Sequence, residues 1–376
     1  MGRIFGYEPA IANAIVKSLG SARALFELDS KSLNQVISPF SKFRGLITKS
    51  ELERSADELS RLHSQGVVYV DASQDAYPKL LKECDDAPQG LYLRSCSAPE
   101  DIFNQRPQIA IVGTRDISPY GREWCMRMVE AIAECKEKPL IVSGLAIGTD
   151  IEAHLAALDR GLPTIGVMAT GIDSIYPARH SRHAQKMVAT PGCGLVTDYP
   201  PGTTPLTVNF LRRNRIIAGM CSAVILVESK VKGGGMMTSK LAFSYGRNVF
   251  ALPGRIDDVR SGGCNNLIHE MIAEPIEDLG SLVKALGLGE WNRRSKDSLL
   301  DEIGSKYGSQ MPEDSLRLFQ SIASAIQKNR GISVDEIAGM MNLPYQTVSY
   351  ITATLESDGF IYTDLLQRCG INFKKV

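Results

Sequence analysis

The eight cysteines form no C-x-x-C pair and no cluster with zinc-ligand spacing, so no metal site is read from them. Reduced thiols of a cytosolic protein are the simple account. There is no signal-peptide pattern at the N-terminus and no run of about 18 apolar residues, so neither secretion nor membrane spanning is expected. Net charge is lacking too: 42 Lys and Arg face 42 Asp and Glu, and nothing global points to nucleic acid. Nucleotide fingerprints are missing. No G-x-G-x-x-G follows the first strand of the central sheet, no acidic residue ends the second, and "GGGMMTSK" lacks the Walker A order. No Ser–His–Asp arrangement or carboxylate pair is proposed by spacing, so no catalysis and no cofactor are expected.

What is present describes an ordinary soluble chain. Its 376 residues are 44% hydrophobic and 22% charged, enough for two or three domains with real cores. Residues 1–65 are helical and broken by short turns ("IANAIVKSLGSARALFELD", "KSELERSADELSRLHSQG"). They read as a SAM-like or helix-hairpin-helix module, or as a plain helical cap. Residues 66–286 form the core, with a lead-in at 66–104 that contains the strand-like "VVYVDA". A polar, poorly periodic linker is read at 287–312. Residues 313–376 give three helices and a β-wing, the winged-helix pattern.

In the core, "QIAIVG", "PLIVSG", "PTIGVMA", "GLVTDY", "AVILVE" and "NVFALP" are apolar strands separated by helical crossovers. They predict an α/β class domain with a doubly wound, mostly parallel sheet. Ligands of such sheets sit beyond the carboxyl ends of the strands. After the first strand stand Gly113, Thr114 and Arg115, with Ser118 placed to cap the next helix. After the second stand Ser143, Gly144 and Gly148 before another helix start. After the fifth, Lys232 precedes Gly233, Gly234 and Gly235. Glycine-rich turns feeding helix N-termini expose N–H groups that suit phosphate.

The stretch "NFLRRNRIIAGM" adds Arg212, Arg213, Asn214 and Arg215. Alone, it reads equally as a solvated helix end with one internal salt bridge or as a phosphate site. This core is also the mildly basic part, with 19 Lys and Arg against 15 Asp and Glu in residues 105–275. Joint placement of the turns and the arginines on one sheet edge favours an anionic ligand, and a polyanion read at several phosphates fits best. Phe210 is available to stack on a base, or to pack in the core. His180 and His183 lack metal partners and read as a solvated helix face. Asp150 reads as a helix-start carboxylate and His154 as packing.

The series "IAIVGTRDISPYG", "IVSGLAIGTDIEAHLAAL", "TIGVMATGIDSIYP", "DYPPGTTPLTVNFLRRNRIIAG", "GGGMMTSKLAFSYGRNVFALPG" and "GGCNNLI" resembles the DprA (Smf) family of DNA-processing proteins in order and spacing. The lead-in "AYPKLLKECDDAPQGLY" is similar as well. The resemblance implies a Rossmann-like core that binds single-stranded DNA and forms a homodimer. It also implies delivery of that DNA to the RecA recombinase during natural transformation. The DNA-phosphate pocket it implies comprises Gly113, Thr114, Arg115, Ser143, Gly144, Gly148, Arg213, Asn214 and Arg215, with Lys232 and Gly233 beside it. Departures from the family pattern are Thr149, "KGGGMM", Ala169, and Ala178–Arg179–His180 after "YP".

An enzyme of the phosphoribohydrolase type is the alternative, although its P-G-G-x-G-T-x-x-E loop is absent. Between Pro344 and Asp358 the expected groove-reading helix has no Lys or Arg but carries Glu356 and Asp358. This domain is therefore expected to make protein or architectural contacts and to bind duplex DNA weakly.

Overall fold

Five of the nine strands in the main sheet are buried along their whole length, which is the signature of strands covered by helices on both faces. The computed structural model describes residues 1–6, 9–291, 298–329, 331–364 and 367–371. The strands are β1 (Val67–Asp71), β2 (Gly90–Arg94), β3 (Gln108–Val112), β4 (Leu140–Ser143), β5 (Thr164–Val167), β6 (Gly194–Thr197), β7 (Ala223–Leu226), β8 (Asn248–Ala251) and β9 (Glu274–Pro275). Their order across the sheet is β1-β2-β6-β5-β4-β3-β7-β8-β9. From β6 to β9 every pairing is parallel, while β1 and β2, from the lead-in, add antiparallel.

The sheet is Rossmann-like. One cluster beneath it gathers Val112, Val142 and Leu226 with Ile216, Ile217 and Ala242 of the Thr207–Met220 and Gly234–Ser244 helices. The opposite cluster sets Ile109, Ile141 and Ile225 against Met128 and Ile132 of the Pro119–Glu134 helix and Ala153 and Ala157 of the Thr149–Asp159 helix. The chain winds from β3 outward through β4 to β6, then returns to the other side of β3 with β7. That reversal puts the topological switch point between β3 and β7, where doubly wound sheets take their ligands.

The chain divides into two compact units, Met1–Trp291 and Asn292–Val376. The N-terminal helices have their own small core of Ile4, Phe5, Ala12, Ile15, Leu25, Leu33 and Ile37. In the second unit, the Glu313–Lys328, Val334–Met341 and Tyr345–Ser357 helices accompany β10 (Ile332–Ser333), β11 (Ile361–Thr363) and β12 (Arg368–Ile371). The small sheet runs β10-β12-β11, giving the winged-helix arrangement. One helix falls inside the stretch read as linker. Ser298–Tyr307 places Leu299, Ile303 and Tyr307 in the second unit's core. The four-residue spacing of these residues hides among charged neighbours, which is why the stretch looks aperiodic. Residues 292–297 of that linker and 372–376 of the wing lie outside the described residues.

Candidate nucleic-acid interface

Consecutive residues on a helix rotate by about 100°, so three arginines within four positions cannot share a face. The Thr207–Met220 helix shows the consequence. Arg212 is exposed, whereas Arg213 is buried against the ends of β4 and β5. Its Nη1 donates to the carbonyls of Gly144 (2.6 Å) and Val167, and its Nε to Asn214 Oδ1 (3.3 Å). A Cβ on Gly144 would collide with both the Arg213 head group and Asp150. Burial pushes the Asp150 carboxyl above its usual range while the Arg213 charge opposes that shift. Burial also lowers Arg213, but a guanidinium keeps its proton. The result is a buried, oppositely charged couple. Arg215 points elsewhere, pairing with Asp198 and donating to the Asp86 carbonyl of the lead-in (2.6 Å).

The turn after β4 supports the turn after β3 from behind. Ser143 is fully buried and donates its hydroxyl to the Ile111 carbonyl (2.6 Å). Gly148 adopts φ 83°, and a Cβ there would strike the Thr114 carbonyl. Thr149 donates both its N–H (3.1 Å) and its hydroxyl (3.2 Å) to that same carbonyl. His154 packs with Thr164 and is held neutral, its pKa pushed down by burial to about 3. His180 is buried too, donating Nδ1 to the Leu145 carbonyl (2.9 Å). Among the described residues no His, Cys, Asp and Glu group is placed to hold a metal.

What faces solvent is a cleft of 410 Å³ at the switch point. Of the residues expected from sequence, Gly113, Thr114, Arg115, Phe210, Arg213, Asn214, Lys232 and Gly233 line it. Ser143, Gly144, Gly148, Arg212 and Arg215 do not. Gly234 and Gly235 of the glycine turn line it as well, and so do Lys230, Thr238 and Tyr176, which went unread in the sequence. The Gly234–Ser244 helix opens into the cleft with no side chain capping it, so its first N–H groups are available to an anion. A Cβ on Gly235 would lie 2.7 Å from Leu226 Cδ1 and 3.2 Å from Gly113 Cα, so a larger residue would have to displace Leu226 and the turn after β3. On the other wall, the Arg115 guanidinium lies 5.2 Å over the Phe210 ring, and Tyr176 meets that ring edge-on at 5.4 Å. Lys230 and Lys232 are exposed and have no ion-pair partner among the described residues.

The helix N-terminus after β3 is not available. Glu228, buried at the end of β7, accepts hydrogen bonds from the Ser118 N–H (2.9 Å) and hydroxyl, and lies against Gly121. The chain thus supplies its own carboxylate where a dinucleotide fold seats a pyrophosphate. The only sequence trace of this was an acid ending an apolar strand.

Residues 68–287 match the family model for DNA recombination-mediator protein A, and residues 298–365 match the model for the replication protein A C terminal. The DNA processing protein DprA of Streptococcus pneumoniae is 39% identical over 196 residues, covering 52% of this chain and 66% of the relative. The Bacillus subtilis DprA is 34% identical over 226 residues, covering 59% and 74%. Protein Smf of Synechocystis is 38% identical over 211 residues, covering 56% and 52%. The chain therefore spans between about half and two thirds of the first of these relatives. Among solved structures, the X-ray structure of S. pneumoniae DprA aligns with TM-score 0.63 and 29% identity over 75% of this chain and 94% of that one. A Helicobacter pylori DNA processing protein A, described for its single-stranded DNA binding mode, aligns with TM-score 0.51 and 28% identity over 58% and 95%.

Proposed function

Because this chain belongs to the DNA recombination-mediator protein A (DprA, Smf) family, we propose that it binds single-stranded DNA in the switch-point cleft. In this reading it protects the strand and helps to load RecA recombinase on it during transformation or recombination, with no catalytic step of its own. One observation carries the reading: two unpartnered lysines, an uncapped helix N-terminus and an arginine stacked on an aromatic ring converge on one cleft. Lys230, Lys232 and the N–H groups at Gly234 and Gly235 hold phosphate. Arg115 leaves the Phe210 face when a base arrives, and Phe210 with Tyr176 provides the stacking surface. Arg213 and Asn214 shape the floor, and Arg215 acts at a distance through the lead-in. No helix among the described residues is long and apolar enough to cross a membrane.

The test is titration of a fluorescent oligothymidine with the wild-type chain and an Arg115→Ala, Lys232→Ala variant across a salt series. Binding falls at least tenfold in the variant, and the salt slope flattens by about 1.4, since each single-strand phosphate contact contributes about 0.7. Unchanged affinity and slope would remove the cleft from the DNA path.

A homodimer through the core accompanies this function. The groove lined by Phe243, Ile268, Met271 and Ile272 beside the two-residue edge strand β9 supports it, with Met271 85% exposed. The winged helix makes protein contacts in this reading. Its third helix exposes Tyr345 and Tyr350 and carries no cation from Pro344 to Asp358. A chain ending at residue 291 is therefore expected to bind duplex DNA as well as the full chain does. A drop of tenfold or more in a duplex shift assay would make this domain a groove reader.

A further inference from the structure

The loop after β8 reaches the same end of the sheet as the cleft and is fastened to its rim. The Ser229 N–H donates to the Arg260 carbonyl and the Gly263 N–H to the Ser229 carbonyl, both at 2.7 Å. The Arg260 guanidinium grips the Asp116 carboxylate at 2.9 Å and its carbonyl at 3.0 Å, on the turn after β3. Inside the loop, the Asp258 N–H donates to the Arg255 carbonyl (3.2 Å). Asn265 clamps Gly254, accepting from its N–H and donating to its carbonyl. A loop so held does not need exposed aliphatic residues to keep its shape. Yet Ile256 is 98% exposed and Val259 68%, and Val231 of the abutting β7 loop is 55% exposed. A Cβ on Gly262 would sit 3.6 Å from Val231 Cγ2, so the two loops touch.

Single exposed aliphatic residues need no explanation. Three of them on two hydrogen-bonded loops at the rim of a cationic cleft do. Lys230, Lys232 and Arg255 flank them. The nearby carboxylates are engaged: Asp257 by Arg255 (2.9 Å), Asp258 by the Arg260 N–H (2.9 Å), and Asp116 by Arg260. The geometry points to a second contact for the same DNA strand. Bases beyond the one at Phe210 lie on Ile256, Val259 and Val231 while the neighbouring phosphates follow the lysines. The inference rests on the proposed cleft function. It extends the strand's path from the β5 side, where Tyr176 stands, to β8. Four strand spacings of about 4.8 Å make that path roughly 19 Å long, enough for several nucleotides. Aliphatic contact accepts any base, so this arm carries no sequence preference.

The experiment compares oligothymidines of about 4 and about 20 nucleotides, lengths bracketing single-strand site sizes. It uses the full chain, an Ile256→Ser, Val259→Ser variant and the Arg115→Ala, Lys232→Ala variant. The serine pair adds no charge and replaces solvent-exposed side chains. It binds the short oligomer like wild type and the long one about fivefold more weakly, and the cleft variant loses both. Wild-type affinity of the serine pair for the long oligomer overturns the second contact while leaving the cleft reading standing. Equal weakening at both lengths also overturns it, because the loop would then act on the cleft itself. If the cleft variant keeps both oligomers, the cleft reading falls and this one with it.

Discussion

Arg213→Met is expected to cost the core unit about 3–5 kcal/mol, the loss typical of leaving a buried charge without its counter-charge. The substitution keeps the apolar stem and removes the head group. The Gly144 and Val167 carbonyls then lose their donor, and the Asp150 carboxyl is left inside the sheet end without the Arg213 charge that opposes its desolvation. The deficit depends on pH, and its sign follows from Asp150. Burial already raises the Asp150 pKa above its unfolded value, so its favourable contribution is present where it is protonated and fades as pH rises through the folded pKa. Removing Arg213 raises that pKa further. The variant's deficit is therefore largest near neutrality and narrows on acidification through the range above the ordinary carboxylate value. Neutral, buried His154 penalises acid conditions in both proteins, but Arg213 helps to hold its pKa down, so the variant bears less of that penalty and the deficit narrows in acid on this account too. Urea unfolding midpoints of the two proteins measured across pH give the answer. A deficit under about 1 kcal/mol, or one that widens in acid, would mean that Asp150 and Arg213 are not coupled.

Arg215→Met is expected to lose a similar amount, about 3–5 kcal/mol, by a different route. Arg215 joins three segments: its own helix, the lead-in through the Asp86 carbonyl, and the end of β6 through Asp198. Asp198 is poorly placed to lose it. Its Oδ1 already lacks a hydrogen-bond partner, and burial pushes its carboxyl above the usual range, opposed first by the Arg215 charge and then by its own backbone N–H. Neutralising both members is much milder than removing one, so Arg215→Met combined with Asp198→Asn recovers most of the stability. Single and double variants of equal stability would show a pair that water screens. Both arginine variants, measured under conditions where they remain folded, weaken oligothymidine binding less than the Arg115→Ala, Lys232→Ala pair does and keep the wild-type salt slope, because they shape the cleft without contacting phosphate. That outcome separates them from Arg115 and Lys232.

These two arginines also mark where reading the sequence stops. The six core strands were legible because strands buried on both faces are continuous apolar runs, and the turns after them pointed to the sheet edge that carries the cleft. The helix cap at Ser118 was legible from its neighbours alone. Which arginine reaches the cleft was not, because Arg213 is turned inward by Gly144, 69 residues earlier, and Arg215 by Asp86, 129 residues earlier. Glu228 escaped for the same reason, since its acceptor role exists only when Ser118, 110 residues away, is brought to it. Tyr176 and Lys230 sit in loops without a pattern of their own, and only the fold assigns them to the cleft.

The pairing of β3 with β7 sets a clock on the nascent chain. Ile109 lies opposite Ala223, so β3 leaves the ribosome long before its partner on that side. At about 5–20 residues per second, the 114 residues between them take roughly 6–23 s to be made. Through that interval one flank of β3 stays unpaired, and Gly113, Thr114 and Arg115 have no lysine loop opposite them. The cleft cannot close around a strand until β7 and the helix after it have been synthesised. Until then, a growing chain has no such cleft with which to hold any strand, the message it is being translated from included.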